Sequence, residues 1–227
     1  MNPSSRITAI VPNPRKPGRF AVSIDGEEVA TLSIEAIERL RLASDGQIDD
    51  RLRAAIDHEA AILATYDRAL NMLAARARSA AELRRLLIRK GEPASQVDVA
   101  IDRLRTIGFL DDAAFARQFT RSKAVGGGLS RRRVQQELSK RGVARDVSDD
   151  AIEEVFTEED VDEEASIERV ARKKLRTLAK LEPAVQRRRL YGFLARRGYD
   201  ADDIARVLRV VLSDVGDHDD ESAQAED

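Results

Sequence analysis

The chain has 227 residues, of which 35% are charged, 42% hydrophobic and 4% aromatic, and its formal net charge is −2. This composition favours helices with narrow apolar stripes and argues against a thick, aromatic-rich β core. The chain has no cysteine, which excludes disulfide and thiolate chemistry, and no run of residues resembles a signal peptide or a membrane span. We therefore expect a soluble, cytoplasmic protein without a membrane partner.

The first 45 residues predict a small β-meander followed by a short helix. The expected strands cover residues 6–11, 19–26 and 29–32. They are β-branched or alternate apolar with polar side chains, and Asp25-Gly26 is a strong hairpin signal. Ser33 can cap a helix over residues 34–42. From Asp49 to Ala75 the apolar spacing is helical, and no strand is expected beyond that point.

One helical motif occurs three times, over residues 79–91, 131–142 and 187–198. In the first copy Ser79 and Glu82 have the spacing of a capping box, and a closing glycine ends the helix. Apolar positions and closing glycines correspond in all three copies: Leu83, Val134 and Leu190; Leu87, Leu138 and Leu194; Gly91, Gly142 and Gly198. Each copy lies within a unit of three helices and roughly 50 residues, which is the length of a tandem repeat.

We therefore predict a mainly α protein in which tandem three-helix repeats form an elongated, curved array. A single repeat is too small to bury a sufficient core, so neighbouring repeats should stack. The predicted segments are the N-terminal β-meander and short helix (1–45), a linking helix (46–65), repeat 1 (66–110), repeat 2 (111–160), repeat 3 (161–212) and a disordered acidic tail (213–227). Within repeat 3, helices are expected over 167–181 and 204–212.

The charge is segregated along the chain. Residues 66–145 contain 18 bases and 8 acids, and residues 165–212 contain 13 bases and 5 acids. Residues 146–164 contain 11 acids and no base. Because these acids lack the spacing of a calcium loop, we interpret them as a solvated helix face and linker. The near-neutral total thus hides two basic modules.

Catalytic motifs are missing. The two histidines are His58, without the second histidine of a zinc helix, and His218, in the acidic tail. Gly126–Gly128 is not followed by the Lys-Ser/Thr of a phosphate-binding loop and is interpreted as a flexible joint. We therefore expect no cofactor, no metal and no enzymatic activity.

The basic clusters are the candidate binding residues. They comprise Arg131, Arg132, Arg133, Lys140 and Arg141 in the second copy, Arg187, Arg188, Arg189, Arg196 and Arg197 in the third, and Arg89 and Lys90 in the first. The pairs before each closing glycine are equally well explained by the negative end of the helix dipole. The triple arginines at two helix starts oppose the dipole and favour a phosphate backbone or an acidic protein surface. Tyr191 and Phe193 are assigned to the core, so little base readout is expected.

The sequence resembles the RecX family, whose members regulate the bacterial recombinase RecA. The resemblance depends on the order and spacing of residues 82–91, Gly108–Ala116 and Gly127–Arg131, the last of which leads into Leu138 and Arg141-Gly142. It covers residues 66–212, and the third repeat departs most from the family pattern, around Pro183 and Tyr191-Gly192-Phe193. The N-terminal β segment is similar to an extension that some members carry.

We expect a monomer. The resemblance implies a non-enzymatic regulator that binds RecA and its filament on single-stranded DNA. It would inhibit ATP hydrolysis, strand exchange and coprotease activity, and so act in DNA repair, recombination and the SOS response. Capping of the filament and binding in its groove both remain open, as does the division of basic residues between RecA and DNA. The alternative is a sequence-nonspecific or helix-turn-helix-like DNA-binding protein, although the arginines flank the helices and do not line one recognition face.

Overall fold

The computed structural model describes residues 5–223, with side chains placed as far as Ser213. It divides into an N-terminal unit that ends at Leu110 and a C-terminal unit that starts at Asp111. The predicted mainly helical fold with a small N-terminal sheet is confirmed. None of the helices in the described part has the length and apolarity needed to span a membrane.

The N-terminal unit begins with a four-stranded antiparallel sheet. Its strands are β1 (Ser5–Pro12), β2 (Arg19–Ile24), β3 (Glu27–Ser33) and β4 (Gln47–Ile48), in the order β3-β2-β1-β4. Asp25 and Gly26 have φ angles of 50° and 90° at the β2–β3 turn, as a tight hairpin requires. The predicted meander is thus present. The prediction missed β4, because two residues are too few to show an alternating pattern.

The sheet packs on the first long helix of the chain. Ser33 caps the short helix α1 (Ile34–Arg39), where its Oγ accepts a 3.3 Å hydrogen bond from the Ala36 amide. Ile56 of helix α2 (Asp50–Ala75) is fully buried in the cluster that lies under the sheet. An ion pair of 2.9 Å between Arg19 and Asp67 adds a second contact, so the β segment is docked on this unit.

Repeat 1 is formed by the second half of α2, α3 (Ala80–Arg89) and α4 (Ala94–Thr106). The predicted start of α3 is confirmed, because the Ser79 Oγ accepts a 3.1 Å hydrogen bond from the Glu82 amide. Leu83 and Leu87 are fully buried in the core that these helices share. The capping residue and the apolar stripe of this motif therefore act as the sequence indicates.

The C-terminal unit contains repeats 2 and 3. Its helices are α5 (Asp112–Thr120), α6 (Arg131–Lys140), α7 (Arg145–Glu158), α8 (Glu163–Arg176), α9 (Pro183–Arg196) and α10 (Ala201–Ala223), and a π-helical turn spans Arg121–Val125. Each repeat has its own core, which in repeat 2 includes Val134 and Leu138 and in repeat 3 includes Leu190 and Leu194. The repeat-related positions thus form the spine of each core.

Two predicted helices have different ends in the structure. α8 ends at Arg176, whereas the predicted helix continued to residue 181, because Leu178 and Leu181 reach the repeat 3 core from the following turn. α10 continues beyond the predicted end at Leu212 into the segment predicted to be disordered, as far as Ala223. Residues 224–227 of that segment lie outside the described residues.

Repeats 2 and 3 meet through backbone contacts near the triple glycine. The Ser130 amide donates a 3.1 Å hydrogen bond to the Arg197 carbonyl. The buried Tyr199 hydroxyl donates to the Gly128 carbonyl at 3.2 Å, and burial raises the pKa of this phenol to about 12. Gly128 is itself buried against Val170, which leaves no room for a Cβ atom. The glycine run predicted as a flexible joint is therefore a packed turn at this position.

Candidate functional site

A basic cleft of about 390 Å³ lies between α6 and α9 in the C-terminal unit. Its charged lining consists of five cations and one carboxylate: Lys123, Arg133, Arg141, Arg196, Arg197 and Glu137. Phe119, Leu129, Phe193 and Gly127 complete the lining. Four of the cations belong to the predicted binding residues, two from each repeat. The repeat junction therefore concentrates positive charge that is separated by more than 50 positions in the sequence.

The closing turns of α6 and α9 place two arginines in the same way. Arg141 and Arg197 are the C-cap residues of these helices, directly before the closing glycines. The Arg141 guanidinium lies 4.4 Å from the centre of the Phe119 ring, and the Arg197 guanidinium lies 4.2 Å from that of Phe193. Cation–π contacts of this kind hold a guanidinium in place and leave its edge available for hydrogen bonds.

Glu137 organises one side of the cleft. Its carboxylate accepts 2.8 Å contacts from both Arg141 and Arg133 and lies 3.9 Å from the Lys140 ammonium. The hydrogen bond from Arg141, followed by the charge of Arg133, holds the pKa of Glu137 below its usual range. Glu137 is therefore ionised at neutral pH, but one carboxylate cannot balance five cations, and the cleft keeps a strong positive charge.

Arg197 carries a polar atom without a partner. Its Nε is buried and has no hydrogen-bond acceptor among the described residues. A buried donor without an acceptor is unfavourable, and the charge of the guanidinium increases the penalty. Since this Nε atom is enclosed, an anion would bind through the accessible donors of the cleft, which suit an oxygen of a phosphate or of a carboxylate.

The structure separates the three arginines at the start of α6. Arg131 is held within the unit: its guanidinium lies 2.5 Å from Glu153 and 4.2 Å from the centre of the Phe156 ring, and its amide donates to Glu163 at 3.0 Å. Arg133 points into the cleft, while Arg132 is exposed and forms no ion pair within the described part of the chain. The three arginines thus lie in three different environments.

The remaining predicted residues lie outside the cleft. Arg187, Arg188 and Arg189 are exposed on α9, Lys140 is exposed beside Glu137, and Arg89 and Lys90 are exposed at the end of α3 in the N-terminal unit. The structure therefore brings together Arg133, Arg141, Arg196 and Arg197 only. The acidic face of α7 is exposed, as predicted. The acids there also neutralise nearby cations, since Glu154 pairs with Arg117, and Glu158 and the C-cap residue Glu159 pair with Arg121.

Sequence reasoning missed Lys123, Phe119 and the position of Tyr191. Lys123 belongs to the π-helical turn, whose course toward the cleft no sequence period indicates. Phe119 and Phe193 are half-buried, and each supports an arginine in addition to contacting its core. The assignment of Tyr191 to the core is wrong, because 44% of this residue is exposed. Its position next to Leu190 places it off the apolar stripe, which was the available signal.

Comparison with known proteins identifies the family. Family models match the RecX first three-helix domain at residues 66–104, the second at 111–152 and the third at 162–208, together more than half of the chain. Regulatory protein RecX of Pelodictyon phaeoclathratiforme is 33% identical over 66% of this chain and 91% of its own length. That of Mycobacterium avium is 37% identical over 63% of this chain and 82% of its own length.

A solved structure shares the fold. The crystal structure of a regulatory protein RecX superposes with a TM-score of 0.71 and 20% identity, covering 89% of this chain and 98% of that chain. A RecX structure from Lactobacillus salivarius gives a TM-score of 0.52 with 18% identity over 66% of this chain. Sequence relatives, domain matches and fold agree, and the chain belongs to the RecX family of regulatory proteins.

Proposed function

We propose that this protein binds RecA and its filament on single-stranded DNA and inhibits RecA ATP hydrolysis, strand exchange and coprotease activity. It would act in the cytoplasm as a regulator of DNA repair, recombination and the SOS response, without catalysis of its own. Membership of a family of regulatory proteins supports the general role. The observation that carries the proposal is the basic cleft, in which cations from two repeats converge.

The chemistry of the cleft suits both components of such a filament. DNA presents phosphates, and an acidic protein surface presents carboxylates; both accept hydrogen bonds from paired arginines. Arg132 and Arg187–Arg189, which are exposed in the same unit, can add weaker contacts around the cleft. Once one group is docked, the others bind at high effective concentration, so many small contacts together can give tight binding.

The direct test is RecA ATPase on single-stranded DNA, measured against increasing concentrations of this protein. Arg133→Gln/Arg196→Gln removes two cations from the cleft without removing the ring-stacked arginines. Arg145→Gln/Arg176→Gln changes the net charge equally at exposed positions outside the cleft lining. Since a hydrogen bond to a charged group contributes about 1.5–3 kcal/mol, the loss of even one such bond should make the cleft variant need at least roughly tenfold more protein for half-inhibition. The matched control should inhibit almost as the wild type does.

Each result has a definite consequence. If the wild-type protein leaves ATP hydrolysis unchanged at saturating concentration, the proposed function is wrong. If the two double variants behave alike, the cleft is not the binding site. A titration of the filament, bare single strands and duplex DNA tests the alternative: preference for one duplex sequence would identify a helix-turn-helix type of DNA-binding protein instead.

A further inference from the structure

Tyr191 is an unusual residue on the surface of α9. The chain contains three tyrosines and six phenylalanines, so aromatic side chains are scarce. Tyr199 is buried and Tyr66 is half-buried, whereas Tyr191 is 44% exposed in the middle of a helix. An aromatic ring at such a position is typical of surfaces that bind a partner.

The residues around Tyr191 are basic or small. Arg187 and Arg188 precede it by four and three positions, so they share its face of the helix. Both are exposed and form no ion pair within residues 5–213. On the other side, Gly192 and Ala195 leave the ring accessible. A Cβ atom at Gly192 would lie 3.4 Å from Nη1 of Arg196, so this arginine folds back over Gly192, beside the Tyr191 face and not on it.

We infer that this face of α9, consisting of Arg187, Arg188 and Tyr191, binds an unpaired nucleic-acid strand, with Tyr191 stacking on one base. The inference deepens the proposed function, because it names the part of the filament that this face contacts. Arg187 and Arg188 lie about 6 Å and about 4.5 Å from Tyr191 along the helix axis, which is longer than the ~3.4 Å step of one stacked nucleotide. Their guanidinium groups can therefore reach a phosphate next to the stacked base.

The accessible ring favours a single strand over the other basic-surface ligands. In a duplex the base faces are stacked on each other, and only the edges and phosphates are presented. An acidic protein surface would use the arginines but has no need of the open ring. An unpaired strand uses both, since every base has a face that stacks on an aromatic ring and every nucleotide carries a phosphate.

The test compares two oligonucleotides that differ only in their bases. The full-length protein is titrated with a thymine-only single strand and with an abasic strand of the same length. We expect Tyr191→Ala to weaken binding of the thymine strand about 5- to 150-fold, the range that one base–aromatic stack supports. Binding of the abasic strand should change little. Tyr191→Phe should behave as the wild type does, whereas Arg188→Ala should weaken binding of both strands to the same extent.

Tyrosine emission provides a second measurement, because the chain has no tryptophan. A base stacked on Tyr191 should quench part of the emission when the thymine strand binds, and Tyr191→Phe should remove that quenching while it preserves affinity. Circular dichroism establishes that each variant is folded, as expected for an exposed position.

Two outcomes would overturn the inference. In the first, Tyr191→Ala binds both strands with wild-type affinity. In the second, the variant loses inhibition of RecA ATPase but keeps its affinity for the thymine strand, which would place Tyr191 against protein. In either case, the proposed function would still stand if the wild-type protein inhibits the ATPase. Failure of this inference can therefore be distinguished from failure of the proposed function.

Discussion

Gly198 shows how one residue joins two repeats. Its φ angle is 92°, and a Cβ atom would lie 2.5 Å from both the Ser130 Oγ and the Arg133 Cβ. Gly91 closes the equivalent helix of repeat 1 with a φ of 91°, but nothing lies within 4 Å of a Cβ atom there. Both glycines thus adopt a left-handed backbone conformation, but only at Gly198 do neighbouring atoms also leave no space for a side chain.

We predict that Gly198→Ala destabilises the protein more than Gly91→Ala. The left-handed backbone alone should cost about 1–2 kcal/mol at either position. At Gly198 the clash should add roughly 1–3 kcal/mol, as overpacking does in a core. Urea unfolding of both variants measures the difference in the free energy of unfolding. Equal decreases in the free energy of unfolding would show that the atoms around residue 198 can move to accommodate a Cβ atom at little cost.

At the element scale, α6 starts with arginines that face different surroundings. Arg131 stacks on Phe156 and pairs with Glu153 and Glu163. Since these pairs are largely exposed they contribute little, and the ring contact accounts for most of the stabilisation. Arg132 has no such contact among the described residues and faces solvent.

We therefore predict opposite effects for two neighbouring substitutions. Arg131→Ala should lower the free energy of unfolding by about 1 kcal/mol and leave inhibition of RecA ATPase nearly unchanged. Arg132→Ala should leave the unfolding midpoint unchanged but weaken inhibition. Thermal unfolding and the ATPase titration, carried out on both variants, check the pair. If Arg131→Ala weakens inhibition without destabilising the fold, the assignment of Arg131 to internal packing is wrong.

The elements themselves were largely predictable, because local signals specify them. Ser79 caps α3, and Leu83 and Leu87 form its buried stripe, as the spacing indicates. The errors come from tertiary contacts. Leu181 continues a helical period although the helix has ended, β4 exists only because β1 pairs with it, and Gly128 is fixed by Val170. The basic residues of the cleft could be predicted from the sequence, but their convergence could not, because two repeats must pack together before these cations lie close to one another.

In the C-terminal unit, the distribution of acids along the chain determines which arginines are neutralised. The acids of residues 146–164 were expected to form a solvated helix face and linker, and Glu153 and Glu154 do lie on the exposed face of α7, where they also pair with Arg131 and Arg117. These carboxylates neutralise arginines outside the cleft. Within the cleft lining only Glu137 opposes the positive charge. Although the net charge of the chain is −2, most cations of the basic cleft are therefore not neutralised within it and can bind an anion.

This distribution predicts that Glu137→Gln strengthens binding of a polyanion. The depressed pKa of Glu137 means that its charge is present at neutral pH, so the substitution removes one negative charge and releases Arg133 and Arg141. We expect affinity for a single-stranded oligonucleotide to rise roughly 3- to 10-fold at low salt, with a smaller gain at high salt because ions screen the added charge.

Glu154→Gln is the matched control, since it makes the same change in net charge at a carboxylate outside the cleft lining that pairs with Arg117 at 3.4 Å. A smaller gain for this variant would show that position matters as well as charge. Equal gains would mean that the strand responds only to the total charge of the unit. A loss of affinity in Glu137→Gln would show that the carboxylate is needed to hold the two arginines in their binding geometry, and that this organisation outweighs the charge it cancels.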